Sequence, residues 1–251
     1  MTGPNSKSLT ISVRAVLFDM DGVLISSTEA DARSWLRWAK LHGMEDTFSI
    51  HETHGRRTID TIRALRPDLD QMTELERMED FDVEDTAGLT VYPGVRELLA
   101  ELKPTQWSIV TSASDRVMRH RLGVLNLPVP PKVVTSESVN LGKPNPEPYQ
   151  LGASQLGLAP FDCLVLEDSP SGIRAAKTAG CFVIAVASSH ALEELKEADW
   201  IVSSLEDLEL YSADDSDRIL VAADPDQASG LAGAAGGLGG AGTFGTLGTM
   251  T

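Results

Sequence analysis

The stretch VRAVLFDMDG, residues 13–22, decides the fold that we expect for this chain. Its first part, residues 13–18, is an apolar run that is too short for a helix and rich in strand-forming residues. The sequence then turns acidic at Asp19 and Asp21, and Gly22 allows the chain to turn sharply away. A short buried strand that ends on acidic residues is typical of an α/β domain whose ligands bind at the strand ends.

Similar apolar runs recur along the chain and alternate with helical patterns. The runs lie at 107–110, 133–134, 163–166, 181–186 and 200–202, and the helical patterns at 95–102, 115–122, 146–156 and 171–179. Strands without polar alternation, separated by helices, indicate a parallel sheet that is covered on both faces. We therefore predict an α/β fold with a Rossmann-like parallel sheet, helices on both faces and an inserted small helical cap domain.

The domain boundaries follow from changes in pattern. Residues 26–91 lack strand runs and carry charged residues and leucine at helical spacing, so we predict a helical cap there. The catalytic core is expected at 11–25 and 92–210, with a terminal hairpin at 211–229. The Gly/Ala-rich tail at 230–251 carries no charge and too little apolar surface for a core, so we expect it to be disordered.

Composition narrows the class of protein. The chain has 251 residues, of which 42% are hydrophobic, and no apolar run reaches the roughly 18 residues of a membrane span. We expect a soluble, cytoplasmic monomer with Cys163 and Cys181 buried and reduced. The net charge of −16 disfavours nucleic acid and anionic membranes as partners.

The first polar cluster is the pair Asp19 and Asp21. A carboxylate at a strand tip can attack phosphorus and form an acyl phosphate that water later hydrolyses. A second carboxylate two residues on projects to the same side, where it can protonate the leaving oxygen and then accept a proton from water. Two acids at a strand end are also often merely solvated, so the pair alone does not decide the function.

The second cluster is Thr111-Ser-Ala-Ser114, which follows the run at 107–110. Ser114 is a suitable N-cap for the next helix, so that Ser112 and the amides near Ala113 would face a bound phosphate. An ordinary capped turn is the alternative interpretation.

The third cluster, Glu167 and Asp168, follows the run at 163–166 and brings four carboxylates to one sheet edge. Without a cation they would raise each other's pKa, and Mg²⁺ suits carboxylate, water and phosphate oxygens. Lys143, followed by prolines that stiffen the backbone, would offset charge on a phosphoryl group. Taken singly, the acids could start a helix and the lysine could be solvated.

The combined order of these residues resembles the haloacid dehalogenase superfamily of phosphotransferases over roughly residues 13–210. The resemblance implies that Asp19 is the nucleophile, Asp21 the general acid/base, and Ser112, Ala113 and Lys143 the phosphate ligands. It also implies a Mg²⁺ ion held by Asp19, Asp168 and the backbone carbonyl of Asp21, with Glu167 beside it or orienting a metal-bound water. The helical insertion corresponds to the family's cap.

A narrower likeness is to the glycerol-3-phosphatase and 2-deoxyglucose-6-phosphatase branch. It rests on four phrases: His54-Gly-Arg-Arg57, Gly142-Lys-Pro-Asn-Pro-Glu-Pro-Tyr149, Glu167-Asp-Ser-Pro-Ser-Gly172 and Ala198-Asp-Trp-Ile-Val202. In that branch the cap motif faces the substrate, so we expect Arg57, with His54 or Arg56 beside it, to contact the substrate. A helix start with solvated arginines is the alternative.

We therefore expect a Mg²⁺-dependent phosphatase that acts on a small sugar or polyol phosphate through an aspartyl-phosphate intermediate. One alternative is a mutase resembling β-phosphoglucomutase, but that relative carries a cap-hinge histidine where this chain has Asp31. The other is a catalytically silent phosphate-binding regulator. Inactive relatives usually lose a motif carboxylate, whereas every motif residue is present here.

Overall fold

A computed structural model describes residues 9–50, 53, 55–212 and 218–223 of the chain. The predicted tail at 230–251 lies outside these residues, as do parts of the segment predicted as a terminal hairpin.

The centre of the molecule is a six-stranded parallel sheet, which confirms the predicted α/β class. In sheet order its strands are β6 (Val133–Val134), β5 (Trp107–Val110), β2 (Ala15–Phe18), β7 (Cys163–Glu167), β8 (Phe182–Val186) and β9 (Trp200–Val202). All residues of β2 are buried, because helices cover both faces of the sheet.

Alternate residues of β2 point into two separate hydrophobic cores. Val16 and Phe18 pack on the face covered by α4 (Val95–Glu101) and α5 (Asp115–Val124). Ala15 and Leu17 pack on the face covered by α6 (Glu147–Gln155) and α7 (Pro170–Ala179). Burial on both faces accounts for the continuous apolar runs of the sequence.

Three helices lie between the first strand of the sheet and its continuation. They are α1 (Thr28–Leu41), α2 (Thr58–Leu65) and α3 (Gln71–Glu84), flanked by the short antiparallel strands β3 (Ile25–Ser26) and β4 (Thr90–Val91). They bury a core of their own, formed by Trp35, Trp38, Ile62, Met78 and Phe81. We call this unit the cap. None of the helices that the structure describes, in the cap or elsewhere, is long and apolar enough to cross a membrane.

A second, antiparallel sheet contains a strand that the sequence analysis missed. β1 (Leu9–Val13) and β10 (Leu208–Ser212) pair on either side of β11 (Ile219–Ala223). β11 lies within the segment 211–229 where a hairpin was expected and β10 begins three residues before it, whereas β1 precedes the apolar run at 13–18 that was predicted as the first strand. The alternation of LTISV is typical of a strand with one face buried and the other in solvent.

Candidate active site

The polar residues that follow the strands meet at one edge of the parallel sheet. Asp19 follows β2, Thr111 follows the neighbouring β5, and Asp168 follows β7 on the other side. Because β5, β2 and β7 are adjacent and parallel, residues far apart in sequence come together at their carboxyl ends.

Asp19 is paired with Lys143 in the interior of this edge. The Lys143 ammonium lies 2.8 Å from Asp19 Oδ1 and 2.8 Å from Glu167 Oε1, and its side chain is only 1% exposed. Burial raises the pKa of Asp19 to about 7, against the opposing effect of Lys143. Burial by itself favours a neutral amine, but Asp19 and Glu167 raise the pKa of Lys143 above its ordinary value. The lysine therefore stays positive beside Asp19.

Glu167 is fully buried and holds its neighbours in place. Its Oε1 accepts hydrogen bonds from Lys143 Nζ and the Tyr149 hydroxyl. Its Oε2 accepts from the backbone amides of Asp168 and Ser169 and from the Ser169 hydroxyl. Burial opposes ionisation, yet Lys143 and these hydrogen bonds lower the pKa of Glu167. With both oxygens occupied by protein donors, Glu167 is better suited to positioning Lys143 than to coordinating a metal.

Asp19, Glu167 and Asp168 bring buried carboxylate oxygens to within 4.8 Å of one another. Burial, followed by the charges of Glu167 and Asp19, raises the pKa of Asp168 well above its ordinary value. A Cβ atom on Gly22 would lie 1.9 Å from Asp168 Oδ2, so the absence of a side chain there leaves the carboxylate its space. Crowded carboxylates at a cavity wall are the donor set that a hard divalent cation prefers, and Asp19 and Asp168, which line the cavity, fit Mg²⁺.

Asp21 is paired with a second cationic side chain, that of Arg121. Its Oδ1 accepts a hydrogen bond of 2.8 Å from Nη1 of Arg121, a residue of α5. Burial raises the pKa of Asp21, and the charge of Arg121 partly offsets this effect. The carboxyl remains 27% exposed, on the side of a cavity, where it could exchange a proton with a bound molecule.

Two of the predicted phosphate ligands, Ser112 and Ala113, lie just before α5. Ser114 caps the helix by accepting a hydrogen bond from the Val117 amide, as expected from the sequence. The Ala113 amide donates to Thr111 Oγ1, and the Ser112 hydroxyl donates to the Gly55 carbonyl at 3.1 Å. Ser112 thus links the start of α5 to the cap, and a phosphate bound here would meet both groups.

A cavity lies between the sheet edge and the cap. Core residues form one side of it, namely Asp19, Asp21, Gly22, Thr111, Ser112, Ala113, Ser114, Val117, Arg121, Ser136, Asp168 and Ser189. The side toward the cap is formed by Ser27, Thr28, Asp31, Trp35, Thr53, Gly55, Arg56, Thr58, Leu75, Glu79 and Asp82. The nucleophile candidate therefore faces a polar chamber with carboxylates and one arginine on its cap side.

The two cap arginines have different environments. Arg56 is exposed and lines the cavity. Arg57 is buried, and its guanidinium donates to Asp60 at 2.7 and 3.1 Å. It also donates to the backbone carbonyls of Ser136, Val139 and Asn140, at 3.3, 2.9 and 2.9 Å. Of the two arginines, Arg56 lines the cavity, whereas the donors of Arg57 are taken up by the protein itself. The substrate contact of Arg57, with Arg56 beside it, stays a prediction. His54 lies outside the described residues.

Several residues of the site were missed by the sequence analysis. The Ser189 hydroxyl donates to Asp168 Oδ2, and Ser189 follows β8 at the same sheet edge. Ala187 and Ser188 separate Ser189 from the end of β8, so the rule used for Asp19 and Asp168, polar residues directly after a buried strand, does not reach it. Arg121 and Tyr149 lie inside helices α5 and α6, so nothing in their local sequence indicates contact with the motif carboxylates.

Known proteins are similar to this chain over most of its length. The family model for haloacid dehalogenase-like hydrolases matches residues 16–186. Hexitol phosphatase A from Escherichia coli is 38% identical over 212 residues, covering 82% of this chain and 98% of that protein. Glycerol-1-phosphate phosphohydrolase 1 from Saccharomyces cerevisiae is 31% identical over 235 residues, covering 87% and 94%.

Solved structures show the same fold. A hydrolase from Pseudomonas syringae matches with a TM-score of 0.69 and 22% identity, covering 76% of this chain and 94% of that chain. A β-phosphoglucomutase from Clostridium difficile matches with a TM-score of 0.68 and 23% identity, covering 78% and 93%. At this level of identity the likeness concerns the arrangement of the chain and not its reaction.

Proposed function

This chain belongs to the haloacid dehalogenase-like hydrolase family and is a phosphoric monoester hydrolase, and we propose that it hydrolyses a small polyol or sugar phosphate through an aspartyl phosphate on Asp19. The observation that carries the proposal is the buried pairing of Asp19 with Lys143 at 2.8 Å, beside Asp168 and at the wall of a cavity.

In the first step an Asp19 oxygen attacks phosphorus and the bond to the leaving oxygen breaks. Asp21 gives its proton to that oxygen, and the alcohol departs. Water then attacks the acyl phosphate while Asp21, now ionised, takes its proton, and inorganic phosphate and free Asp19 result. Lys143, Ser112 and the Ala113 amide would hold the phosphoryl oxygens during both steps.

Asp19, Asp168 and the backbone carbonyl of Asp21 would hold Mg²⁺. When bound, the ion would supply positive charge that offsets the phosphoryl oxygens and the crowded carboxylates. Glu167 would act one step away, by fixing Lys143 and the backbone at Asp168 through its five hydrogen bonds.

The substrate class follows from the cap side of the cavity. Asp31, Glu79 and Asp82 offer carboxylate oxygens that accept hydrogen bonds from hydroxyl groups, and Arg56 offers a donor. A neutral polyhydroxyl tail suits this lining, in line with the names of the hexitol and glycerol phosphate relatives. The mutase alternative needs cations for a second phosphate. Lys40 of the cap is exposed at the C-terminal end of α1, outside the cavity lining, and Arg56 is the cation that the cap contributes to that lining.

The direct test is phosphate release from a panel of glycerol, hexitol and hexose phosphates with Mg²⁺, using wild type and Asp19→Asn. We expect turnover by wild type and a loss of more than roughly 10³-fold in the variant, as for removal of other catalytic nucleophiles. Wild-type protein quenched in acid during turnover should carry phosphate on Asp19 in mass spectrometry. Turnover of none of the panel, or an Asp19→Asn variant that keeps more than a few per cent of activity, would refute the proposal.

A further inference from the structure

Arg121 is a buried residue beside Asp21, and the reaction described above gives it no part. Arg121 is only 2% exposed, and its Nη1 lies 2.8 Å from Asp21 Oδ1. Its Nη2 lies 2.5 Å from Asp31 Oδ1 and 3.5 Å from Asp82 Oδ1. One guanidinium therefore faces three carboxylates.

The three carboxylates come from different parts of the molecule. Asp21 belongs to the loop after β2 of the core, Asp31 to the first turns of cap helix α1, and Asp82 to the last turns of cap helix α3. Arg121 itself belongs to core helix α5, whose N-terminus carries the phosphate-binding residues. The side chain thus joins the proposed proton donor to the cap.

Charge balance makes this connection energetically significant. Removing one partner of a buried ion pair leaves an uncompensated charge away from water, which is strongly unfavourable. If the cap moved away from the core, Arg121 would lose Asp31 and Asp82 and retain Asp21. The planar guanidinium donates in fixed directions, so a change in its cap contacts alters how it holds the Asp21 carboxyl.

We propose that Arg121 is a positioning residue for Asp21, and that its contacts with Asp31 and Asp82 make the orientation of the proton donor depend on the position of the cap. The inference rests on the proposed function, since it assumes that Asp21 protonates the leaving group. Arg121 acts through Asp21, because the charged partners of its guanidinium are Asp21, Asp31 and Asp82.

The leaving group provides the test. A nitrophenolate departs without a proton, whereas a phenolate of higher pKa or an alkoxide needs one from Asp21. We would measure kcat/KM for a series of substituted phenyl phosphates, because kcat/KM reports the step that forms the phosphoenzyme. In Arg121→Met the loss should grow with the pKa of the leaving group. We expect it to be roughly tenfold larger for the poorest leaving group than for p-nitrophenyl phosphate, within the 10²–10⁴-fold range of acid–base catalysis.

Arg116→Met is the matched control. Arg116 also lies on α5 and pairs with the cap, at 2.7 Å from Asp80 and 3.8 Å from Glu79, but it is exposed and no contact joins it to Asp21. We expect no change in the leaving-group trend for this variant. A loss in Arg121→Met that is the same for every leaving group would overturn the inference, since a purely structural role predicts that result.

Two further variants keep the inference testable if Arg121→Met fails to fold. Arg121→Lys keeps the charge but loses the fork that spans Asp21 and Asp31, and Asp31→Asn weakens the contact of Arg121 with the cap while leaving its contact with Asp21 in place. Both should steepen the leaving-group trend in the same direction, and a flat response in both would overturn the inference. Absence of turnover by wild type on any alkyl or aryl phosphate would instead count against the proposed function.

Discussion

The Lys143 ammonium lies 2.8 Å from Asp19 Oδ1, and the same nitrogen lies 2.8 Å from Glu167 Oε1. A single buried cation is thus shared by the proposed nucleophile and by a carboxylate that has no exposed surface. Because Glu167 is tied to the Asp168 and Ser169 amides, it transmits the position of β7 to the lysine. The same residues therefore contribute both to the stability of the site and to its proposed chemistry.

Glu167→Gln should therefore destabilise the whole core. The amide NH₂ would face a group that donates, either Lys143 or the amides of Asp168 and Ser169, and Lys143 would lose one buried counter-charge. We expect a loss of about 3–5 kcal/mol in the free energy of unfolding, measured by urea denaturation. Glu193→Gln is the control, since Glu193 pairs with Lys196 at the surface and is 86% exposed. Equal stability of both variants would contradict the role assigned to Glu167.

Removing divalent cations should abolish turnover and also lower thermal stability. Asp19 and Asp168 are buried close together, and burial raises the pKa of both carboxyls in the absence of a cation. Binding of Mg²⁺ to the folded state alone would stabilise it by about 2.7 kcal/mol at one hundred times the dissociation constant. The stabilisation is measured as the difference in melting temperature, by differential scanning fluorimetry of chelated protein with and without added Mg²⁺. The stabilisation should vanish in Asp168→Asn, and its persistence there would place the ion elsewhere.

Arg56 and Arg57 should respond differently to substitution by alanine. Arg56→Ala should raise KM for a polyol phosphate roughly tenfold or more, because a charged hydrogen bond is worth about 1.5–3 kcal/mol, with less effect on p-nitrophenyl phosphate. Arg57→Ala should weaken turnover of both substrates alike, since Arg57 holds the backbone carbonyls of Ser136, Val139 and Asn140.

Arg57→Ala should affect both substrates alike because Arg57 lies next to the loop that carries Lys143. A Cβ atom at Gly142 would lie 2.8 Å from the Arg57 side chain, so the arginine packs directly against the residue before Lys143. Arg63→Ala is a suitable control, because Arg63 pairs with the same Asp60 but is 60% exposed. If Arg57→Ala lost activity toward the polyol phosphate alone, Arg57 would instead be a substrate contact.

The cap should lose stability in acid through Glu74. Burial by itself would raise the pKa of Glu74, but hydrogen bonds from His42 and Trp38, with the charge of Arg77, outweigh it and lower the pKa. A carboxyl group whose pKa is lower in the folded state than in the unfolded state stabilises the fold at pH values above its unfolded pKa of 4.5. This stabilisation is lost as the pH falls through the pKa of the folded state. Glu74→Gln should thus cost roughly 1.5–3 kcal/mol at pH 7.

The comparison of unfolding at two pH values checks this prediction. The difference in urea midpoint between wild type and Glu74→Gln should be largest near neutral pH and should shrink below pH 4.5. A difference that stays constant with pH would mean that the Glu74 charge does not matter, and that only its packing does. Glu84→Gln provides the control. Glu84 lies on the same helix as Glu74, but it is 62% exposed and pairs with Arg37 of α1 at the surface.

Much of the site could be predicted from sequence, because the relevant signals are local. A continuous apolar run indicates a strand buried on both faces, and the residue that follows it must lie at the sheet edge. That rule predicted Asp19 and Asp168 at this edge, with Ser112 one position beyond the residue that follows β5, whereas Ser189 comes three residues after β8. The order of strands and helices along the chain was sufficient for the α/β class.

Only the tertiary structure decided which long polar side chains meet these residues. Arg57 lies within a predicted substrate motif, yet its partners are carbonyls about 80 residues away along the chain. Arg121 looks like any helical arginine, and its partners Asp21 and Asp31 are 100 and 90 residues distant. Local periodicity indicates which apolar residues are buried, whereas the burial and the partners of a charged residue such as Arg121 depend on how the cap packs on the core. The local sequence thus determined which strands end at the catalytic edge of the sheet. The ion pairs at that edge were decided only by the tertiary structure.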